Sequence, residues 1–525
     1  VIRKAWLLLP VALILLFVLF LLIGCGGQRV ENQTVYTIAD ATGDWGFPTP
    51  YGHYPRGPGY VRMSFVFDTL LWKDSQGFVP ALAREWRYDP QENAYIFYLV
   101  QKATWHDGQP FTAKDVVFTV EYTRKHPYQW VDTSVIKKAE ALDDYTVKLS
   151  LNQPYAPFLS DVAGALPILP AHIWQKVSEP EKFQGKEAAI GTGPFKLVDY
   201  NREQGTYLYE AYDKYYQGKP KIQRLQFIKM SEEMASAALK KKQVNATSIQ
   251  PEVAESLRQE GFRVLSGTHD WVAKLMINHN KEPFSHREFR QALALSIDRK
   301  QLVEVALRGY GLAGSPGLLP PDSPWYNPGV EQYEYNPAKA EELLAGLGFI
   351  RQGNYLTKDG RVLELELLFR GGGGSITDQR AAELIKEQLE RIGIKINLQS
   401  LESKTLDNRV KEWKFDLALS GHGGLGGDPR ILNRVTLEQG INSARYNKSE
   451  ELSSVLSSQL GEMDPDKRRE LVNKAQELYA REMPALPLYY PTSYWAHDGL
   501  VNLYYTWGGV GSGVPIPLNK LAFVK

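Results

Sequence analysis

The sequence predicts an α/β fold, and three consecutive stretches in its second half carry that expectation. Val362 to Phe369, "VLELELLF", alternates apolar and polar side chains, the period of a strand with one buried face. "TDQRAAELIKEQLERIG" follows, with Ala381, Leu384, Ile385, Leu389 and Ile392 at helical spacing and Gly393 at the expected stop. "IKINLQSL" then alternates again. Strand, helix and strand within about 40 residues make a βαβ unit, hence an α/β lobe.

The 525 residues exceed what one hydrophobic core supports, so two or three domains are expected. Net charge is +1, with 61 basic and 60 acidic residues and no basic stripe, which argues against a nucleic-acid partner. The single cysteine excludes an intrachain disulfide framework and a thiolate-rich zinc site.

That cysteine lies at the end of a greasy run. Arg3 and Lys4 precede the apolar segment Trp6 to Ile23, which stops at Leu22-Ile23-Gly24-Cys25. The last four residues resemble a lipobox: an aliphatic residue, a small residue before the cleaved bond, then the thiol to be acylated. The expectation is a signal peptide over 1–24, lipidated Cys25, and a tether over 25–33. Stable anchoring follows from several acyl chains, each buried CH₂ contributing roughly 0.8 kcal/mol. An uncleaved membrane anchor is the alternative.

"TVYTIAD", Thr34 to Asp40, reads as a strand. The long loop after it, "ATGDWGFPTPYGHYPRGPGY", is rich in Gly, Pro and aromatics, so Trp45, Tyr54 and Arg56 are candidate walls of a binding site. "AYIFYLV" is a strand, and Thr112 caps a helix from Ala113 with Asp115 in its first turn.

"PALAREW", an aromatic-rich strand, and "TWHDGQPFTAKDVVFTVEY" together resemble the signature region of the family 5 extracellular solute-binding proteins, the peptide and nickel receptors of ABC importers. "IGTGPFKLVDY", "MINHNKEPFSHREFRQALALSIDRKQLVE", "YNPAKAEELLAGLGF" and "PALPLYYPTSYW" continue the resemblance, which covers the chain from about residue 34. It implies a periplasmic-binding-protein type II fold of two lobes. Lobe I would comprise 34–270 plus 485–525, with an inserted subdomain at about 75–190, and lobe II 271–484. The hinge crossings would fall around "DWVAKLMIN" and "ALPLYYP". The resemblance also implies a monomeric receptor outside the cytoplasm, anchored to the membrane, that hands a solute to a permease driven by a separate ATPase.

Enzyme signatures are missing from the sequence. The run Gly371 to Gly374 lacks the lysine of a phosphate-binding loop, and "GTGPF" lacks the third glycine of a dinucleotide fingerprint. No GxSxG or HExxH occurs. No cofactor is implied. A hydrolase with a triad scattered along the sequence, and a receptor for a sensor kinase, are the other classes to weigh.

In open α/β sheets, ligands sit beyond the carboxyl ends of the strands. Val362 to Phe369 leads into "RGGGGS", and Phe415 to Ser420 into "GHGGLGGDPR". The resemblance implies that Asp428 receives a peptide's α-amino group and that Arg370 holds its carboxylate. A turn role for Asp428 and a solvated strand end for Arg370 are the plainer alternatives. Trp271 is placed on the hinge side of the cleft or in packing between the lobes. His422, with His53 and Arg56, suits a metal–chelate ligand instead, and the many aromatics keep oligosaccharide open.

Overall fold

The computed structural model describes residues 35–41, 43–371 and 376–524. The expected leader, Cys25 and the tether lie outside the described residues, as do Gly372, Gly373 and Gly374.

Two large sheets organise the chain. The first has seven strands, in the order Arg263–Ser266, Tyr494–His497, Ala246–Ile249, Val35–Asp40, Arg224–Lys229, Thr206–Ala211 and Phe195–Asn201. Val35–Asp40 runs parallel to both its neighbours. Its Tyr36 and Ile38 are fully buried in a core that also holds Phe65, Phe227 and Phe523. Arg62 enters this core by pairing with Asp40 and lying 4.4 Å over the Phe227 ring. The C-terminal tail completes the lobe. Lys520 pairs with Asp68, both fully buried, and its Nζ stands 4.1 Å above the Trp72 ring.

The second sheet has six strands: Gly311–Ala313, Ala485–Pro491, Val272–Ile277, Leu417–His422, Glu364–Arg370 and Lys395–Leu401. The expected βαβ unit is present. Glu364–Arg370 pairs in parallel with Lys395–Leu401, and helix Ile376–Arg391 makes the crossover. The first strand begins two residues later than its alternation suggests, because Arg361–Val362 pairs in a separate three-stranded sheet. Ala381, Ile385 and Leu389 of the helix are fully buried, as the spacing requires.

A third, four-stranded antiparallel sheet holds Ala83–Asp89, Ala94–Leu99, Thr146–Leu151 and Ile136–Asp143. It lies in sequence between two strands of the seven-stranded sheet and has its own core around Phe97, Trp105, Phe111 and Phe158. Helix Ala113–Lys125 starts with the expected box: the Thr112 backbone N–H donates to Asp115 at 2.9 Å. The molecule is therefore two α/β lobes with an inserted subdomain in the first.

The chain passes between the large sheets at 267–271 and again at 492–493. This corrects the expected return near residue 485. Ala485–Pro491 stays in the second sheet, paired with Val272–Ile277 on one side and Gly311–Ala313 on the other. Its apolar side chains are buried there.

Candidate ligand cleft

The two crossings are fastened to each other. His269, in the first, has Nδ1 2.8 Å from Asp322 Oδ2 and Nε2 2.9 Å from Oγ1 of Thr492, in the second. Beyond them the lobes meet face to face. Arg430, at the start of helix Ile431–Thr436 in the second lobe, donates from Nε to the Tyr155 hydroxyl at 2.7 Å and forms an ion pair with Asp161, Nε to Oδ2 2.5 Å, both partners in the inserted subdomain. Its other face meets Glu438 at 3.1 Å. Burial raises the Asp161 carboxyl above the usual carboxylate range against the opposing pull of Arg430. The Ala156 backbone N–H also crosses, to the Leu460 carbonyl at 2.8 Å.

Two glycine-rich loops pack backbone to backbone in this seam. Gly424 and Gly513 both have positive φ, and a Cβ on Gly513 would lie 2.4 Å from the Gly424 Cα. Only glycine lets the loops approach so closely. Between them remains a cavity of about 20 Å³, room for about one water. Its walls include Lys73 and Ser512 from the first lobe, Asp161 from the insert, and Asp428 and Arg434 from the second. A wider hollow of about 630 Å³ near His172 is lined by residues 107–190 alone, so it does not join the lobes.

Two buried lysines stand at or beside the seam. Lys73, 4% exposed, donates to the carbonyls of Gly511 at 2.7 Å and Gly508 at 3.5 Å. Burial pulls its pKa down to about 8, although Asp161, Asp428 and Asp270 act against that pull. Lys274 is fully buried on the central strand of the second sheet, donating to the Asn442 carbonyl, and burial followed by Arg434 lowers it to about 7.

The residues expected from sequence are distributed around this seam unequally. Asp428 lines the cavity, but its carboxylate takes a two-pronged pair from Arg468, at 2.8 and 2.6 Å, and caps the Arg430 N–H at 2.9 Å. The Asp428 carboxylate is thus paired with an arginine of the protein itself. Arg370 stands at its strand end, Nε 3.6 Å from Asp378, and is absent from the cavity walls.

His422 is buried, with Nδ1 2.9 Å from the Gly423 carbonyl. A carbonyl only accepts, so Nδ1 carries the proton and Nε2 is a bare lone pair without a partner. Burial, with Lys274 and Arg434 nearby, keeps the ring neutral. His53 does not join it as the metal–chelate reading asks: its nitrogens are engaged by the Tyr54 carbonyl at 2.7 Å and the Tyr128 hydroxyl at 3.0 Å. Among the described residues no cluster of three metal-ligating side chains occurs.

Trp271 packs on the second lobe, its ring filling the space that a Cβ on Gly421 would need. Trp45 braces the long loop through its backbone: its N–H donates to the Tyr207 hydroxyl at 2.7 Å, and its carbonyl accepts from Tyr54 at 2.9 Å. Tyr54 and Arg56 reach across the mouth. Arg56 pairs with Asp407, and Lys404 sits 5.3 Å over the Tyr54 ring, both partners on helix Ser403–Lys411 of the second lobe.

Lys73, Asp161, Arg434 and Ser512 escaped the reading of the sequence. A signal existed for one of them: Arg430 and Arg434 are four residues apart directly after the glycine loop, so a helix there puts both on one face. The other three come from segments far apart in sequence.

A profile of the family described as "Bacterial extracellular solute-binding proteins, family 5 Middle" matches residues 77–442. The chain is 27% identical over 496 residues to Heme-binding protein A of Haemophilus influenzae, covering 87% of each chain. It is 27% identical over 450 residues to Dipeptide-binding protein of Escherichia coli, covering 79% of this chain and 81% of that one. Among solved structures, NikZ from Campylobacter jejuni in complex with Ni(L-His) matches with a TM-score of 0.80 at 23% identity, covering 91% of this chain and 97% of that one. The last match bears on the fold, the type II periplasmic-binding-protein arrangement. By the extent of the profile match, this chain belongs to family 5 of the bacterial extracellular solute-binding proteins.

Proposed function

We propose that the protein is the solute receptor of an ABC importer, tethered to the membrane through acylated Cys25, and that it captures peptides between its lobes for delivery to a permease. The observation that supports this best is the seam itself. Its cavity takes walls from both lobes, and the ion pair Arg430–Asp161 closes across it. A ligand that touches both lobes stabilises the closed state by its differential affinity for closed over open. The peptide class is favoured by the relative named as a dipeptide-binding protein. Lobe I is taken as 35–266 plus 494–524 and lobe II as 272–491, with the hinge in the two crossings.

The test is mass spectrometry of whatever co-purifies with the protein, joined to a thermal-shift screen over di- to hexapeptides, Ni²⁺–histidine, haem and oligosaccharides. The true ligand raises apparent stability by RT ln(1 + [L]/Kd). Shifts by peptides alone support the reading. Shifts only by metal chelates or haem overturn its peptide clause.

A further inference from the structure

We infer that the end of the first lobe remote from the seam is a basic face that lies on anionic phospholipid, in the bilayer to which the chain is tethered. The assignment rests on the anchored receptor proposed above and adds how it sits on its membrane. The place where the chain emerges is the first observation. Val35–Asp40, Arg224–Lys229 and Ala246–Ile249 are parallel, so their amino ends share one edge of the seven-stranded sheet. Arg263–Ser266 starts at that edge too, since Arg263 and Ala246 both pair with His497. At the opposite edge Ser266 leads into the crossing at 267–271. Cys25 precedes Val35 by ten positions, a reach of at most about 35 Å. The tether therefore keeps this end of the lobe near the lipid.

Charge is the second observation. Lys221, Arg224, Lys241, Lys242 and Arg263 stand at this edge, and among the described residues none of them has a carboxylate within 4.0 Å. Lys219 and Lys240 already take Asp213 and Glu260. Glu210 stands opposite Arg224 in the ladder, and Asp498 accepts from the Asn245 side-chain amide at 2.7 Å and the Leu500 N–H at 2.9 Å. These two carboxylates offset only part of the charge. The cations come from separate segments, so the sequence shows no basic stripe. The turn that Asp498 holds presents Leu500, 52% exposed, at the same edge as Val35. Apolar side chains among cations are what a membrane-surface contact uses. An anionic leaflet favours each nearby Lys or Arg roughly fivefold, within a Debye length of about 8 Å. The tether supplies proximity and the cations supply orientation. The seam, beyond the carboxyl ends of the parallel strands, then faces the solution.

The test reconstitutes the purified full chain into vesicles of phosphatidylcholine, alone or with about 30% phosphatidylglycerol as the anionic lipid. A fluorophore on Asn502→Cys, an exposed site near Leu500, reads approach through quenching by headgroup-labelled lipid. A second, on the exposed Ser458→Cys, reads the other lobe. Quenching at Asn502→Cys should be at least about threefold stronger with phosphatidylglycerol, and should vanish near 1 M salt. It should also vanish in Lys241→Gln/Lys242→Gln/Arg263→Gln and persist in Lys241→Arg/Lys242→Arg/Arg263→Lys, with melting temperatures unchanged in both. Equal quenching in the two lipids, or quenching undiminished by salt or by the Gln variant, would overturn the inference. So would quenching as strong at Ser458→Cys. The mass of the purified chain reports acylation separately. If Cys25 proves unacylated and the apolar leader holds the chain, the lipid-anchor clause of the proposed function falls. Cys25→Ser then removes the competing thiol, and the same quenching decides the face.

Discussion

Arg430 Nε of the second lobe lies 2.5 Å from Asp161 Oδ2 of the inserted subdomain, and both side chains are less than one-fifth exposed. The pair exists only when the lobes are together. In an open form both groups regain water, so removing one partner penalises closure and not folding. Asp161→Asn should weaken ligand binding roughly 10- to 100-fold, the loss typical of breaking one buried charge pair at an interface. The melting temperature of the ligand-free protein should stay within a degree or two. A parallel fall in both would make the pair a folding contact.

The glycine seam makes a steric prediction. A valine at Gly513 would drive its Cβ to 2.4 Å from the Gly424 backbone, where no rotamer relieves it. Gly513→Val should hold the lobes apart and abolish ligand-dependent compaction in solution scattering. Wild-type compaction in that variant would place closure elsewhere.

Lys520 and Asp68 test the discontinuous first lobe. The tail is held by a fully buried ion pair, and the lysine also stacks on Trp72. Lys520→Met strands a buried carboxylate, which should cost about 3–5 kcal/mol in denaturant unfolding. Lys520→Met combined with Asp68→Asn should recover much of the loss. A single variant as stable as wild type would show that the tail does not brace the core.

Acid should weaken the fold before the carboxylates titrate. Burial, outweighing backbone hydrogen bonds that pull the other way, holds His53 and His106 near pKa 4, against 6.5 in an unfolded chain. Below 6.5 the unfolded chain takes up protons that the folded one refuses. Stability is therefore complete above pH 6.5, falls as pH drops toward 4, and levels below that. Each ring accounts for up to about 3 kcal/mol. Denaturant unfolding at pH 7.5, 5.5 and 4.5 reads the slope, and His53→Gln should flatten it. A flat profile over this range would mean that these rings protonate in place.

Local patterns were legible wherever one face of an element is buried. The alternation from Glu364, the spacing of Ala381, Ile385 and Leu389, and the Thr112–Asp115 cap all read correctly because each depends on neighbours within a few residues. The hinge did not. "ALPLYYP" looks the same whether it crosses between lobes or pairs inside one sheet, and only partners at Ala273 and Leu312 decide it. Asp428 shows the same limit at the cleft. Its glycine-rich setting is visible in the sequence, but Arg468, forty residues on, is what takes its charge. Lys73, Asp161 and Ser512 come from distant stretches of the first lobe and its insert, and only the fold brings them to one cavity.

The central claim is a clamp that shuts on a solute and releases it unchanged. Small-angle scattering of the protein with and without its co-purifying ligand, with the ligand recovered afterwards for mass analysis, tests it directly. The account predicts a smaller radius of gyration in the bound state and an intact ligand. This matters because Asp322, His269 and Thr492 form a carboxylate–imidazole–hydroxyl chain, an order that hydrolases also use. An unchanged radius, or a ligand returned as fragments, would contradict it.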